Sequence, residues 1–166
     1  MPTVVEAGLG DMADVAARDD VLVYDTAPLD DPVEIAGNVR FEGWVATSAA
    51  DADVSAVLVD VHPDGTRMLV ADGYVRLRHR NGFNAHDPVA TGEPVEVAVD
   101  LWDVSWTFAA GHRIGLQLAS ASFPRFDVNL GTGEAPGVGT LDDAIVADQT
   151  VFHDADRPSA LVIPVV

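Results

Sequence analysis

Short runs of apolar and alternating residues, broken by turn residues, fill most of this chain; sustained helical periodicity is scarce. Val21–Tyr24 is a short apolar run. Val33–Thr47 is rich in β-branched and aromatic residues, with Val39, Phe41 and Ala46 set around Arg40 and Glu42, and predicts a long strand. Val54–Val61 is almost continuously apolar, the pattern of a central strand covered on both faces. His62-Pro63-Asp64-Gly65 predicts a turn, because Pro presets φ and Gly accepts positive φ. Met68–Arg80 alternates, with Tyr74, Arg76, Arg78 and Arg80 against Val75, Leu77 and His79, and predicts the returning strand. Val95–Leu101, Ile114–Leu118 and Leu161–Val166 complete the set.

Strands separated by turn signals, with little helix, predict an all-β sandwich or barrel. Residues 1–20 read as a leader or linker, with one short helix over Asp11–Ala17 that Asp11 caps. The sandwich is expected over residues 21–166. Two long connections, Asn81–Pro94 and Ser122–Asp148, belong to the class of loops that are functional or docked against something.

Composition narrows the picture. At 166 residues the chain suits one domain, which buries ~70% of its unfolded surface. There is no cysteine, which removes thiolate metal sites, disulfides and cysteine nucleophiles. No basic-then-apolar leader and no apolar run of ~20 residues is visible, so the expected location is the cytoplasm, away from membranes. The formal net charge of −18 repels nucleic acid and anionic membranes. Asp supplies 21 of the 27 acidic residues, and all nine basic residues are Arg. That balance fits a salt-adapted protein, whose carboxylates stay hydrated where salt screens their repulsion; a GC-rich genome would equally replace Lys by Arg.

Motifs for catalysis are missing. No Gly-x-Ser-x-Gly elbow is present, and the alternating strand–helix pattern that builds one is absent. A triad from Ser122, His112 and Asp127 would have to be gathered by folding. His62, His79, His86, His112 and His153 lack metal-ligand spacing, so no metal and no cofactor is expected. Asp51-Ala52-Asp53, Asp142-Asp143 and Asp154-Ala155-Asp156 are oxygen-rich loops of the kind that hold calcium, although none has the EF-hand pattern and such clusters arise by chance in so acidic a chain. Trp102 and Trp106, four apart, would share one face of a strand, where they read either as core or rim packing, the preferred reading, or as a sugar-stacking platform.

The most informative stretch is Gly111–Gly133. A strand runs into Phe123-Pro124-Arg125-Phe126-Asp127-x-Asn129 and closes on Gly131-Thr132-Gly133. Two rings beside a fixed-φ residue pin a loop. Arg125 is expected to pair with a carboxylate such as Asp127, or with backbone carbonyls, and Asn129 to satisfy turn backbone groups. This stretch resembles the C-terminal domain of the X-Pro dipeptidyl-peptidase and CocE/NonD acyl esterase family of serine hydrolases. Asp20–Leu29, Asp30–Val39, Leu58–Gly65, Asp72–Arg78, Gln149–Ser159 and Leu161–Val166 look like further pieces of that domain, in the family's order. Met1–Asp19 match poorly, and the family's usual Asn before the Phe-Pro is Ser122 here.

The resemblance implies a jelly-roll β-sandwich, galactose-binding-domain-like, that is appended to an α/β-hydrolase domain and carries none of the catalytic triad. It implies a role in buttressing the hydrolase domain and shaping substrate access. His112, Arg113, Phe123, Pro124, Arg125, Phe126, Asp127 and Asn129 are then the candidate docking or structural residues, with Trp102 and Trp106 as possible aromatic contacts. The expected partner is an α/β-hydrolase domain or subunit, with a homodimer as a further possibility. The alternative is a free-standing jelly-roll module that binds a carbohydrate or a peptide.

Overall fold

Two antiparallel sheets face each other across one apolar core. The structure is a computed structural model and describes residues 10–84 and 86–166. The strands are β1 (Val21–Asp25), β2 (Val33–Thr47), β3 (Asp53–Val61), β4 (Arg67–Arg76), β5 (Val95–Phe108), β6 (Arg113–Ala119), β7 (Gln149–Phe152) and β8 (Ala160–Val162). One sheet has the order β1-β6-β3-β4; the other runs β5-β2-β7, with β8 also on β2. The expected all-β sandwich is therefore present. One short helix, α1, covers Ala13–Ala16.

The core follows from strand alternation. Ile35, Val39, Phe41 and Val45 of β2 point inward at period two and are buried. They meet Val54, Ala56 and Leu58 of β3 and Ile114, Leu116 and Leu118 of β6. Each such side chain contributes about 1.5–3 kcal/mol when fully buried. β3 is the central strand its apolar run predicts: it lies between β6 and β4 and is buried on both faces. Met12 and Val15 share a groove with Ser55, Val57 and Gln117 on its outer side. Residues 10–12 are tied to β4 there. Leu69 N–H donates to the Gly10 carbonyl at 2.9 Å, Met12 N–H to the Arg67 carbonyl at 2.8 Å, and Arg67 N–H to Asp11 Oδ1 at 2.9 Å.

Two differences from the sequence pattern have clear causes. The alternation over Met68–Arg80 predicts one strand, yet β4 ends at Arg76 and a 3₁₀ turn takes Leu77–His79. The neighbouring corner captures this backbone: Leu77 N–H donates to the Ala52 carbonyl at 2.9 Å, and Arg78 N–H to Asp51 Oδ1 at 3.2 Å. Leu77 thereby reaches the core. The second difference is a bulge. Asn38 pairs with Asp103 but Arg40 pairs with Asp100, so β5 carries one extra residue. Trp102 sits at this step with φ of 69°. Inward positions change from Val97, Val99 and Leu101 to Val104, Trp106 and Phe108. Trp102 and Trp106 therefore do not share a face, contrary to the four-residue spacing.

Candidate functional site

Between β6 and β7 the chain makes a long crossover, residues 120–148, and a polar network under it ties it to the corner between β2 and β3. Asp51 and Asp53 are the anchors, both almost wholly buried. Arg78 Nε donates to Asp51 Oδ2 at 2.6 Å. Arg76 forms a fork on Asp53, Nε to Oδ1 at 2.9 Å and Nη2 to Oδ2 at 3.1 Å. Tyr74 donates its hydroxyl to the same carboxylate. Asn129 then joins crossover to sheet: its amide donates to Asp51 Oδ2 at 3.0 Å and to Asp53 Oδ1 at 2.8 Å, while its carbonyl oxygen accepts Gly131 N–H at 3.0 Å. Arg78 Nη1 reaches the Glu134 carbonyl at 2.8 Å and Arg76 Nη2 the Asp127 carbonyl at 3.4 Å.

Strand alternation explains why these residues meet. Tyr74 and Arg76 are two apart on β4 and so project on one face, beside Asp53 at the start of β3. Burial, then the Asp53 carboxylate, push the Tyr74 phenol well above its ordinary range. Hydrogen bonding to Asp53 raises the Arg76 guanidinium further, so Arg76 stays charged. The backbone adds its own ties: Ala50 N–H to the Gly131 carbonyl at 3.1 Å, Ile145 N–H to the Leu130 carbonyl at 2.9 Å, and Ser48 N–H to the Asp148 carbonyl at 3.0 Å. Gly131 has φ of +72°, and a Cβ there would lie 3.3 Å from that of Ala49, so glycine fits this close approach.

The Phe-Pro-Arg-Phe segment is held by stacking. Phe126 lies flat on Tyr74, ring centroids 4.2 Å apart and 6° from parallel. Arg125 pairs with a carboxylate, as expected, but with that of Asp72 of β4 rather than Asp127, and its guanidinium lies 5.4 Å from the Phe126 ring centre. Asp72 is two residues before Tyr74 on β4, so the two side chains that hold Arg125 and Phe126 project on one face of the strand. Phe123 has no such support and is 70% exposed. Further along the crossover, Leu141 is 72% and Val146 99% exposed, with Val138 and Ile145 also open. A groove of about 330 Å³ runs between Arg76, Phe123, Asn129 and the 134–141 segment. The crossover is thus fixed beneath, and its outer side carries exposed apolar side chains interleaved with the exposed acids Asp127, Glu134, Asp142, Asp143 and Asp148.

His112 and Arg113 lie elsewhere. Asn129 binds Asp53 at the start of β3, whereas His112 Nδ1 lies 2.8 Å from Asp60 Oδ1 near its end. Seven residues of strand separate them, roughly 23 Å at ~3.3 Å per residue. The expected single group is therefore two sites at opposite ends of the sandwich. A triad of Ser122, His112 and Asp127 is not assembled, since His112 belongs to the other end. At that end Trp106 Nε1 donates to Asp60 Oδ2 at 3.2 Å, and the His62 and His112 rings lie 4.4 Å apart. Arg113 donates to the Thr26 carbonyl at 2.9 Å. Trp102 is 67% exposed and Trp106 is half-buried, so the pair makes no common platform.

The acidic loops are engaged as well. Asp51 and Asp53 are held by Arg78, Arg76 and Asn129. Asp143 caps the 3₁₀ turn at Thr140, accepting its N–H at 2.8 Å. Asp154 accepts the Asp156 and Arg157 amides at 3.0 and 2.9 Å. Sequence reasoning identified Asn129 and Phe126 but not Asp51, Asp53, Arg76 and Arg78 as their partners. The available signal was the spacing itself: two acids two apart and two arginines two apart, each pair facing one way.

Comparison with known proteins places this architecture. Residues 2–162 match the model of the X-Pro dipeptidyl-peptidase C-terminal non-catalytic domain. The cocaine esterase of Rhodococcus sp. (strain MB1 Bresler) is 38% identical over 159 residues, covering 96% of this chain and 28% of that protein. An aminopeptidase from a marine sediment archaeon, Thaumarchaeota archaeon, superposes with a TM-score of 0.89 at 31% identity, over 95% of this chain and 28% of that one. An α-amino acid ester hydrolase gives a TM-score of 0.89 at 30% identity, over 95% and 27%. The chain spans a little over a quarter of the length of these relatives.

Proposed function

We propose, from the premise that this chain belongs to the family of X-Pro dipeptidyl-peptidase C-terminal non-catalytic domains, that it buttresses an α/β-hydrolase domain through its crossover. The chemistry, hydrolysis of an ester or amide through an acyl-enzyme, belongs on this reading to the partner domain or subunit. The single observation that carries the docking reading is the contrast across the crossover. Its underside is fixed by buried ion pairs and Asn129; its outer side carries Phe123, Val138, Leu141, Ile145 and Val146 in a chain of net charge −18. Docking surfaces lose charge at their centres and gain aromatic and apolar groups. Phe123 and Arg125 stand at one margin of this surface, where they would help shape access to a partner's site.

The same surface offers the route to a homodimer when no hydrolase domain covers it. Trp102, the exposed ring of the opposite sheet, would remain outside this contact. The sugar-binding alternative loses its paired platform once the bulge in β5 turns Trp106 inward. We also read the all-Arg, Asp-rich surface as salt adaptation.

Two measurements test the reading. Short-chain aryl esters and an X-Pro arylamide should not be turned over by this chain, and any background should be the same in Ser122→Ala. Light scattering over a dilution series should show self-association that Leu141→Asp and Val146→Asp abolish. Serine-dependent turnover would refute the first part, and a strict monomer indifferent to both substitutions would count against the second.

A further inference from the structure

At the end of the sandwich remote from the crossover, Asp60, His62 and His112 converge, and nothing in the docking reading uses them. Among the described residues they are a group of three whose ligand atoms all lie within 4.8 Å of one another. Asp60 is buried near the end of β3, opposite Ile114 of β6 and Met68 of β4. His62 opens the turn that follows, where its N–H donates to the Thr66 carbonyl at 2.8 Å and its carbonyl accepts Gly65 N–H at 3.0 Å. His112 closes the turn before β6, its N–H on the Ala109 carbonyl at 3.1 Å. Both imidazoles are thus carried on hydrogen-bonded turns rather than on free loops.

The carboxylate is oriented from the other sheet. Trp106 of β5 donates its indole N–H to Asp60 Oδ2, and His112 Nδ1 holds Oδ1. His62 Nε2 stands 3.8 Å from Oδ2, aimed at it but beyond hydrogen-bond length. Two imidazoles and one carboxylate therefore face a common point, with the histidine side chains partly open to solvent. The carboxylates of Asp11 and Asp64 lie near His62, so the approach is anionic.

We propose that Asp60, His62 and His112 form a binding site for a single transition-metal dication of the zinc class. Donation by two ring nitrogens and one carboxylate oxygen is the ligand chemistry of zinc, cobalt and nickel rather than of calcium or magnesium, which prefer oxygen alone. The ion takes the place of the contact between His112 Nδ1 and Asp60 Oδ1, and a small turn of His62 closes the third bond. Trp106 keeps the carboxylate oriented, as outer partners of metal ligands do. The fourth position faces solvent and is left to water. The bond set joins the turns after β3 and before β6, and through Trp106 it touches the opposite sheet, so the ion would act as a clamp on this end of the sandwich.

The test is calorimetric titration of the intact chain, stripped with chelator, with Zn²⁺ alone. The expected result is one equivalent bound, with affinity at least tenfold weaker in His62→Ala and unchanged in Asp154→Asn, an exposed acid elsewhere on the surface. His62 is partly exposed, so this variant should keep a cooperative melt without metal, and that melt is measured alongside. Co²⁺ supplies a second readout: ring signals of His62 and His112 should broaden or shift before those of His79, His86 and His153. Several weak equivalents that His62→Ala leaves untouched, or broadening spread over all five histidines, would overturn the proposal by showing diffuse binding to an acidic surface.

Discussion

Asp51 and Asp53 are each met by an arginine that is itself two residues from the other, and the resulting pairs are worth most when one partner is removed. Arg78 and Asp51 are both buried, so Arg78→Ala leaves an uncompensated carboxylate inside. The expected cost is about 3–5 kcal/mol, read as a fall in the urea midpoint with unchanged slope. Asn129→Ala removes three hydrogen bonds, two of them to carboxylates, and should cost about 1–3 kcal/mol. A loss below measurement error in both variants would mean that the network does not hold the crossover. Tyr74 gives a pH signature of the same site. Its phenol is raised in the folded state by burial and by Asp53. A raised folded value means that its contribution to stability is whole below the unfolded tyrosine value of about 10 and is lost as pH rises through the folded one. In Tyr24→Phe, which leaves Tyr74 as the one phenol, tyrosinate absorption should therefore appear well above pH 10 and together with unfolding. Ionisation near pH 10 in a folded protein would contradict the hydrogen bond to Asp53.

At the scale of elements, the strands were legible wherever alternation or an unbroken apolar run carried the signal. The limits of β1 and β3 and the long reach of β2 follow from Val21, Val54–Val61 and Val33–Thr47. The end of β4 was not legible, because the Leu77 and Arg78 amides are taken by Ala52 and Asp51, residues from a different part of the chain. The bulge at Trp102 was hidden for a similar reason: a single extra residue inverts the faces of everything after it, and no local residue type announces it. In the candidate site, Phe126, Asn129 and the glycines could be read as loop-fixing groups. The identity of Arg125's partner could not, since Asp72 joins it only through folding. One strand position makes a sharp test of how the sheets meet. A Cβ on Gly73 of β4 would lie 2.2 Å from the Asp100 carbonyl oxygen of β5, with rigid backbone on that side. Gly73→Ala should destabilise the domain by about 1–3 kcal/mol, as overpacking does. Wild-type stability would mean that β4 and β5 stand further apart than described.

Over the whole molecule, charge and the crossover face set the behaviour. With 27 acidic residues against nine arginines, self-repulsion weakens the compact state when salt is low. The melting temperature should rise as sodium chloride goes from low to molar concentration, and a flat or falling curve would leave genome composition as the simpler account of the missing lysines. The central claim, that the crossover's outer face seats a hydrolase domain, is tested most directly by a chimera. This chain would replace the matching C-terminal quarter of the Rhodococcus cocaine esterase, and thermal inactivation of esterase activity would be followed. The account predicts an active chimera whose inactivation temperature drops when Leu141→Asp and Val146→Asp are introduced together, while the isolated chain carrying both substitutions melts within a degree or two of its parent. Equal inactivation temperatures with and without the two substitutions would contradict it.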